Sequence, residues 1–160
     1  MFTKQQVRDH LQARKSVEAI NFKPASGSRS LPKFLRLKGK RLHHTDILDA
    51  GGFYRVLFVW RDGAIREKRA FAAWLFIARG SELVPVARMD YHPSHRELHV
   101  HMNCEERRDL TNRGLPGTKV LNLKNSRAWD PRQEIDRINL VGRALQCFSI
   151  SLPEVEGGLF

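Results

Sequence analysis

Apolar and polar residues alternate through two neighbouring stretches of the chain, Leu83 to His92 and Glu97 to Asn103. Successive side chains of a strand point to opposite faces, so this alternation predicts strands with one apolar and one polar face. In the second stretch the polar face carries Glu97, His99, His101 and Asn103. The two stretches together predict a β-hairpin.

The register of the predicted hairpin follows from its turn. A turn at Ser94-His95 and a turn over residues 93–96 give the same antiparallel pairing. Two apolar pairs then share one face: Met89 with Val100, and Tyr91 with Leu98. Three pairs share the other face: Arg88 with His101, Asp90 with His99, and His92 with Glu97. Cross-strand partners interact at roughly 5 Å, so we expect these polar groups to converge.

Helical periodicity occurs at both ends of the chain. Thr3 and Gln6 fit a capping box, and the apolar spacing that follows predicts an amphipathic helix over residues 4–20. Asp130 as cap and Pro131 in the first turn fit a second helix over residues 131–148. Its predicted apolar stripe consists of Ile135, Ile138, Val141, Leu145 and Phe148.

The other segments complete one predicted domain over residues 1–160. In chain order they are a basic linker or loop at 22–33, an antiparallel sheet over 34–103, a basic loop region at 104–129, and a tail at 152–160 that ends in Leu159-Phe160. Within the sheet we expect strands over Phe34 to Leu37, Phe53 to Trp60 and part of Ile65 to Ala78. The predicted fold class is α+β: an antiparallel β-meander of about five strands with both helices packed on it.

Charge narrows the classes of partner. The 28 Lys and Arg residues exceed the 17 Asp and Glu residues, which gives a net charge of +11. Such a surface favours RNA, DNA or another polyanion, although a basic surface alone does not establish function. Nothing indicates a membrane-spanning segment or a secretory leader. The two cysteines need not pair, so we expect a soluble cytoplasmic protein with free thiols.

The predicted polar face of the hairpin suits acid–base cleavage of RNA without a metal or other cofactor. In this interpretation His99, held by Asp90, takes the proton of the 2′-hydroxyl, and His101 protonates the leaving oxygen. Arg88 would hold the phosphate. Further contacts with nucleic acid are expected from His92, His95, Arg107, Arg108, Arg113, Lys119 and Lys124.

Two other interpretations of the same histidines stay open. His99 and His101 point the same way on a strand and could bind zinc or another divalent metal. With Glu105 they have the spacing His-x-His-x-x-x-Glu, which resembles the metal motif of cupin barrels. Alternatively, the histidines form a solvated strand face with no chemistry.

The order Phe53-Tyr54-Arg55-Val56, then Asp62-Gly63, then Arg88-Met89-Asp90-Tyr91-His92 and the histidine hairpin resembles small TumE-like toxins of bacterial toxin–antitoxin modules. The resemblance covers about Phe53 to Asn103. It implies an RNA-directed toxin that an antitoxin partner neutralises. The basic N-terminal segment and the region after Asn103 depart from that pattern.

Three functions therefore follow from the sequence. The first is a metal-independent endoribonuclease, and the second is a nucleic-acid-binding or inhibitor protein of a mobile element without enzymatic activity. The third is a metal-binding protein that uses His99 and His101.

Overall fold

A long antiparallel sheet organises the computed structural model, which describes residues 2–25, 31, 35, 41–104, 115, 117–124 and 127–153, without the side chains of 95–97. The predicted α+β class is confirmed, with one helix near each end of the chain. The prediction of about five strands was too low, because ten strands form among the described residues.

Eight strands belong to the main sheet, and two more form a separate parallel pair. In chain order the strands are β1 Lys15–Ser16, β2 Lys23–Pro24, β3 Leu42–His44, β4 Leu48–Asp49, β5 Tyr54–Arg61, β6 Ala70–Arg79, β7 Glu82–His92, β8 His95–Met102, β9 Lys119–Leu123 and β10 Ile150–Ser151. The order across the main sheet is β2-β3-β5-β6-β7-β8-β9, and β4 pairs with β5. A 3-10 turn at Arg66–Lys68 connects β5 to β6.

The N-terminal helix, α1, spans Lys4–Gln12 and begins with the predicted capping box of Thr3 and Gln6. The prediction that it continues to residue 20 was wrong. Ala13 already has extended backbone angles, and β1 pairs in parallel with β10 from the far end of the chain. This long-range pairing replaces the later turns of the helix, while Val17 still reaches the core from extended chain.

The C-terminal helix, α2, spans Glu134–Phe148. Its buried residues are Leu140, Ala144 and Phe148, whereas Ile135 is 66% and Ile138 40% exposed. The predicted stripe was therefore wrong at its first two positions, Ile135 and Ile138, whereas Val141 and Leu145 pack against the core. Asp130 does not cap α2 directly, because Gln133 is the first flanking residue and makes no side-chain capping bond.

The predicted basic loop region at 104–129 contains a strand. β9 pairs with β8 along its whole length, so that backbone hydrogen bonds continue the sheet past the hairpin. The predicted strand over Phe34 to Leu37 lies outside the described residues except for the buried Leu35. The same holds for most of the predicted 22–33 linker and for residues 154–160 of the predicted tail.

Apolar side chains pack on both faces of the central strands. The helix face of the sheet carries Phe58, Leu75, Met89 and Leu98, and α1 and α2 cover it. The opposite face carries a second cluster that includes Leu57, Trp74 and Phe76 with Leu42 of β3, and Leu31 and Leu35 pack against it. No helix among the described residues is both long enough and apolar enough to cross a membrane.

Candidate acid–base site

The predicted hairpin is formed by β7 and β8. Its turn consists of Pro93 and Ser94. This turn lies one residue before the predicted turn at Ser94-His95 and is two residues shorter than the predicted turn over residues 93–96. Asp90 lies opposite His99 and Arg88 opposite His101, as predicted, but His92 pairs with His95 rather than with Glu97. A bulge causes this change, because one residue separates Asp90 from His92 whereas three separate His95 from His99. The register in the centre of the hairpin is unaffected.

The predicted polar face is present and continues the face that holds Leu57 and Trp74. Arg88 lies opposite Trp74 on β6, and its guanidinium carbon is 5.6 Å from the centre of the indole ring. The face thus changes from apolar on β5 and β6 to charged on β7 and β8. Arg88 stands at that boundary.

Asp90 is the centre of the charged part of this face. The Arg88 Nε–H group lies 2.9 and 3.0 Å from the two Asp90 carboxylate oxygens, and Arg88 Nη2 lies 2.9 Å from Oδ2. His101 Nε2 is 3.2 Å from the same Oδ2 atom. The carboxylate therefore has two cationic or potentially cationic neighbours.

The surroundings of Asp90 act on its pKa in opposite directions. Burial alone would raise the pKa, because desolvation disfavours the charged carboxylate. The hydrogen bond from His101 and the nearby Arg88 guanidinium outweigh burial and hold the pKa below its ordinary value of 3.8. Asp90 is consequently a carboxylate throughout the neutral range.

This contact differs from the predicted one. Asp90 lies opposite His99 in the register, yet its carboxylate contacts His101, the diagonal neighbour on β8. Arg88, predicted to hold a phosphate, instead donates to Asp90. Diagonal neighbours are within reach of long side chains, so register alone does not select the contact.

His99 has a different partner, which the sequence interpretation missed. His99 Nδ1 lies 2.6 Å from the Oδ1 atom of Asn122 on β9, directly opposite in the register. A carbonyl oxygen accepts a hydrogen bond, so this contact favours the tautomer that carries the ring proton on Nδ1. The run Lys119-Val120-Leu121-Asn122-Leu123 does not alternate, so the sequence offered little sign of this strand or of Asn122.

The second nitrogen of His101 is buried. His101 Nδ1 has no hydrogen-bond partner among the residues that the structure describes. A buried polar atom without a partner costs about 1–3 kcal/mol, and such atoms occur where strain or function maintains them. Asp90 contacts the ring through Nε2, so Nδ1 is the ring nitrogen without an orienting contact among the described residues.

The other predicted site residues are more scattered. His92 is exposed beside the turn, Lys119 begins β9 and Lys124 follows it as an exposed residue. The side chain of His95 and the whole of Glu105, Arg107, Arg108 and Arg113 lie outside the described residues.

A metal site is not assembled within the described part of the chain. That part holds no group of three or more His, Cys, Asp or Glu side chains positioned to hold a metal ion. His99 Nδ1 and His101 Nε2 face Asn122 and Asp90. The predicted site with Glu105 stays a prediction.

Comparison of the chain with protein-family models, with curated proteins and with solved structures finds no match. The resemblance to TumE-like toxins therefore stays a prediction.

Proposed function

We propose that this protein is an RNA-directed endoribonuclease that uses His99 and His101 as an acid–base pair. One observation carries the proposal. Two histidines share one face of β8, and each has its own orienting partner: a neutral amide at His99 and a carboxylate at His101. An enzyme that must remove one proton and deliver another needs two such differently placed groups.

In the proposed reaction, His99 Nε2 takes the proton from a ribose 2′-hydroxyl. The 2′-oxygen then forms a bond to the adjacent phosphorus, and the bond from phosphorus to the 5′-oxygen breaks. His101 in its protonated form gives its Nδ1 proton to that leaving oxygen, a step that requires the bound RNA to displace the groups that bury this atom in the free protein. The products are a 2′,3′-cyclic phosphate and a 5′-hydroxyl, and a water molecule can later reset the ring protons.

The structure supports a changed role for Arg88. Its guanidinium lies on Asp90, and the side chains of Arg88, Asp90 and His101 are only 12, 11 and 15% exposed. We therefore assign Arg88 as a positioning residue that keeps Asp90 charged and directed at His101. The net charge of +11 supports the choice of a polyanionic substrate.

The test uses variants that retain the orienting hydrogen bonds. In His99→Asn an amide nitrogen can replace Nδ1, and in His101→Gln an amide nitrogen can replace Nε2, but neither side chain transfers protons near neutral pH. We expect each variant to lose about 10²–10⁴-fold in cleavage rate while RNA affinity stays within about twofold. Cleavage of mixed RNA is measured in excess EDTA. Normal cleavage by both variants would refute the assignment.

A nucleic-acid-binding protein without catalysis is the second candidate, and the burial of Arg88, Asp90 and His101 favours it. A binding protein of this charge loses affinity steeply with salt, because binding releases counterions from the phosphates. Salt-dependent RNA binding by wild-type protein, with intact RNA in every cleavage reaction, would establish this candidate in place of the endoribonuclease.

A further inference from the structure

Four aromatic rings form a cluster on the helix face, remote from His99 and His101. The aromatic cluster consists of Phe2, His10, Phe53 and Tyr54. His10 contacts the other three rings, at centroid distances of 5.3 Å to Phe2, 6.3 Å to Phe53 and 5.7 Å to Tyr54. His10 Nδ1 also lies 2.9 Å from the Tyr54 hydroxyl oxygen. These contacts connect α1 to the start of β5.

Phe53 is the exposed member of the aromatic cluster. Phe53 is 49% exposed, whereas Phe2 is 6% exposed. The centroid of the Phe53 ring lies 4.7 Å from that of the Tyr54 ring. The backbone carbonyl oxygen of Phe53 accepts a hydrogen bond of 2.7 Å from the Ala78 N–H group. Backbone and ring contacts thus hold an apolar ring that presents much of its surface to solvent.

The turn before Phe53 is also fixed. Gly51 and Gly52 have φ values of 94° and 55°, where side chains with a Cβ are strained, and open space surrounds both. The Asp49 carboxylate accepts from the Gly51 N–H group, and Arg55 Nη1 donates to the Gly52 carbonyl oxygen at 2.9 Å. An approaching molecule would meet bare backbone beside the Phe53 ring.

Positive charge borders the aromatic cluster. The Arg79 guanidinium carbon is 5.6 Å from the centre of the Phe2 ring, and Arg79 is exposed. Burial, together with the charges of Lys15 and Arg79, lowers the pKa of His10 below 6.5 despite nearby Asp9, so His10 is a neutral aromatic ring at pH 7. Asp9 itself accepts a hydrogen bond from Gln5.

We propose that Phe53 is a stacking platform for an unpaired base of single-stranded RNA, with Arg79 available to the neighbouring phosphate. Every base offers a π-face, and an exposed aromatic ring beside cationic side chains is the common means of binding single strands. The inference rests on the proposed function, because it assigns a second contact to the same substrate.

The register of the sheet gives the separation of the two sites. His101 on β8 lies opposite Arg88 on β7, which lies opposite Trp74 on β6. Trp74 in turn lies opposite Leu57 on β5, and Leu57 is three residues after Tyr54 on that strand. The standard spacings within and between strands put the Cα atoms of Tyr54 and His101 on the order of 17 Å apart. They belong to opposite faces of the sheet, so only a strand of several nucleotides that passes around its edge or end reaches both.

Binding of a single-stranded oligoribonucleotide of about ten nucleotides tests the platform. We expect Phe53→Ala to weaken binding about 5- to 150-fold and Phe53→Trp to keep wild-type affinity, because base stacking contributes about 1–3 kcal/mol per ring. Ile65→Ala is the matched control, because Ile65 is 53% exposed on a different loop. We expect this control to bind as wild type.

The outcomes separate the two proposals. Unchanged affinity of Phe53→Ala, or equal losses in Phe53→Ala, Phe53→Trp and Ile65→Ala, would overturn the platform and leave the endoribonuclease intact. Wild-type protein that binds no RNA would overturn both. If both proposals hold, Phe53→Ala raises KM for the long oligonucleotide with little change in kcat, and it leaves cleavage of a dinucleotide unaffected.

Discussion

Two buried charged groups in this fold are held in different ways. As whole residues, Asp90 is 8% and Lys15 is 4% exposed, so both are largely removed from water. Asp90 contacts the Arg88 guanidinium and the His101 ring. The Lys15 ammonium contacts carbonyl oxygens at the ends of both helices: Ala13 at 2.6 Å, Phe148 at 2.7 Å and Leu11 at 3.5 Å.

The pKa values of both groups are lowered, which favours the charged form of Asp90 but the neutral form of Lys15. For Asp90 a lowered pKa means that its partners outweigh burial and favour the charged form. For Lys15, burial lowers the pKa from 10.5 to about 8, so the folded protein disfavours the charged form. Carbonyl dipoles thus compensate burial less well than full charges do, and we expect the two sites to respond differently to substitution.

The largest effect is expected from Asp90→Ala. This change leaves Arg88 and His101 beside an empty position on a buried face, and breaking a buried pair by removal of one partner costs about 3–5 kcal/mol. Urea denaturation measures the loss in the free energy of unfolding.

A double variant provides the control for this loss. Arg88→Met with Asp90→Leu removes both charges together, and we expect it to recover more than half of the loss of Asp90→Ala. A loss below about 1 kcal/mol for Asp90→Ala would contradict strong coupling at this site.

The second effect is a rise in stability at alkaline pH. The pKa of Lys15 is about 8 in the folded protein and 10.5 ordinarily. Its contribution to the free energy of unfolding is therefore fully present above pH 10.5 and is lost as the pH falls through about 8. The gain on raising the pH is up to about 3 kcal/mol. Urea denaturation across this range should show it.

Cys147 opposes this rise and must be removed for a clear measurement. Burial raises the pKa of its thiol from 9.0 to about 11, so the stability it gives below pH 9.0 is lost as the pH rises through about 11. We therefore expect a flatter profile in the wild type than in Cys147→Ala. A Cys147→Ala profile that falls from pH 8 to 10 would show that Lys15 is not the group that titrates.

A smaller effect is expected from Lys15→Met at pH 7. The variant loses hydrogen bonds to three carbonyl oxygens but also removes the cost of burying an ammonium group, and replacing buried charges by apolar groups is often nearly neutral. We expect the free energy of unfolding to change by no more than about 1 kcal/mol, and the alkaline rise to vanish. If Lys15→Met lost as much free energy of unfolding as Asp90→Ala, the two buried sites would not differ in their response to substitution.

The sequence predicted those features that depend on local alternation or capping. The central hairpin register followed from the period of two, because any shift by one residue would have buried Asp90 among apolar side chains. The capping box of Thr3 and Gln6 is equally local. Neither required knowledge of distant segments.

The features that the sequence did not predict depend on distant partners. α1 ends early because β1 pairs with β10, and Asn122 reaches His99 because β9 joins the sheet after a separation of 23 residues. The choice of His101 over His99 by Asp90 depends on side-chain conformation within a known register. Alternation fixes which face a residue occupies, but not its partner on that face.

The smallest effect on stability is expected from His101→Gln, and it separates the two partners of Asp90. A Gln amide can donate to Asp90 in place of His101 Nε2, while Arg88 keeps its own contacts with both carboxylate oxygens. If Arg88 provides most of the compensation for burying the Asp90 carboxylate, the free energy of unfolding of His101→Gln should fall by at most about 0.5 kcal/mol. The reason is that one hydrogen bond is exchanged for another. Urea denaturation at pH 7 measures this, with Arg88→Gln as the matched variant.

A loss for His101→Gln equal to that for Arg88→Gln would mean that the imidazole is as necessary to the buried carboxylate as the guanidinium. A small loss would instead leave the His101 ring dispensable for folding, so that any accompanying loss of RNA cleavage would be a loss of chemistry alone.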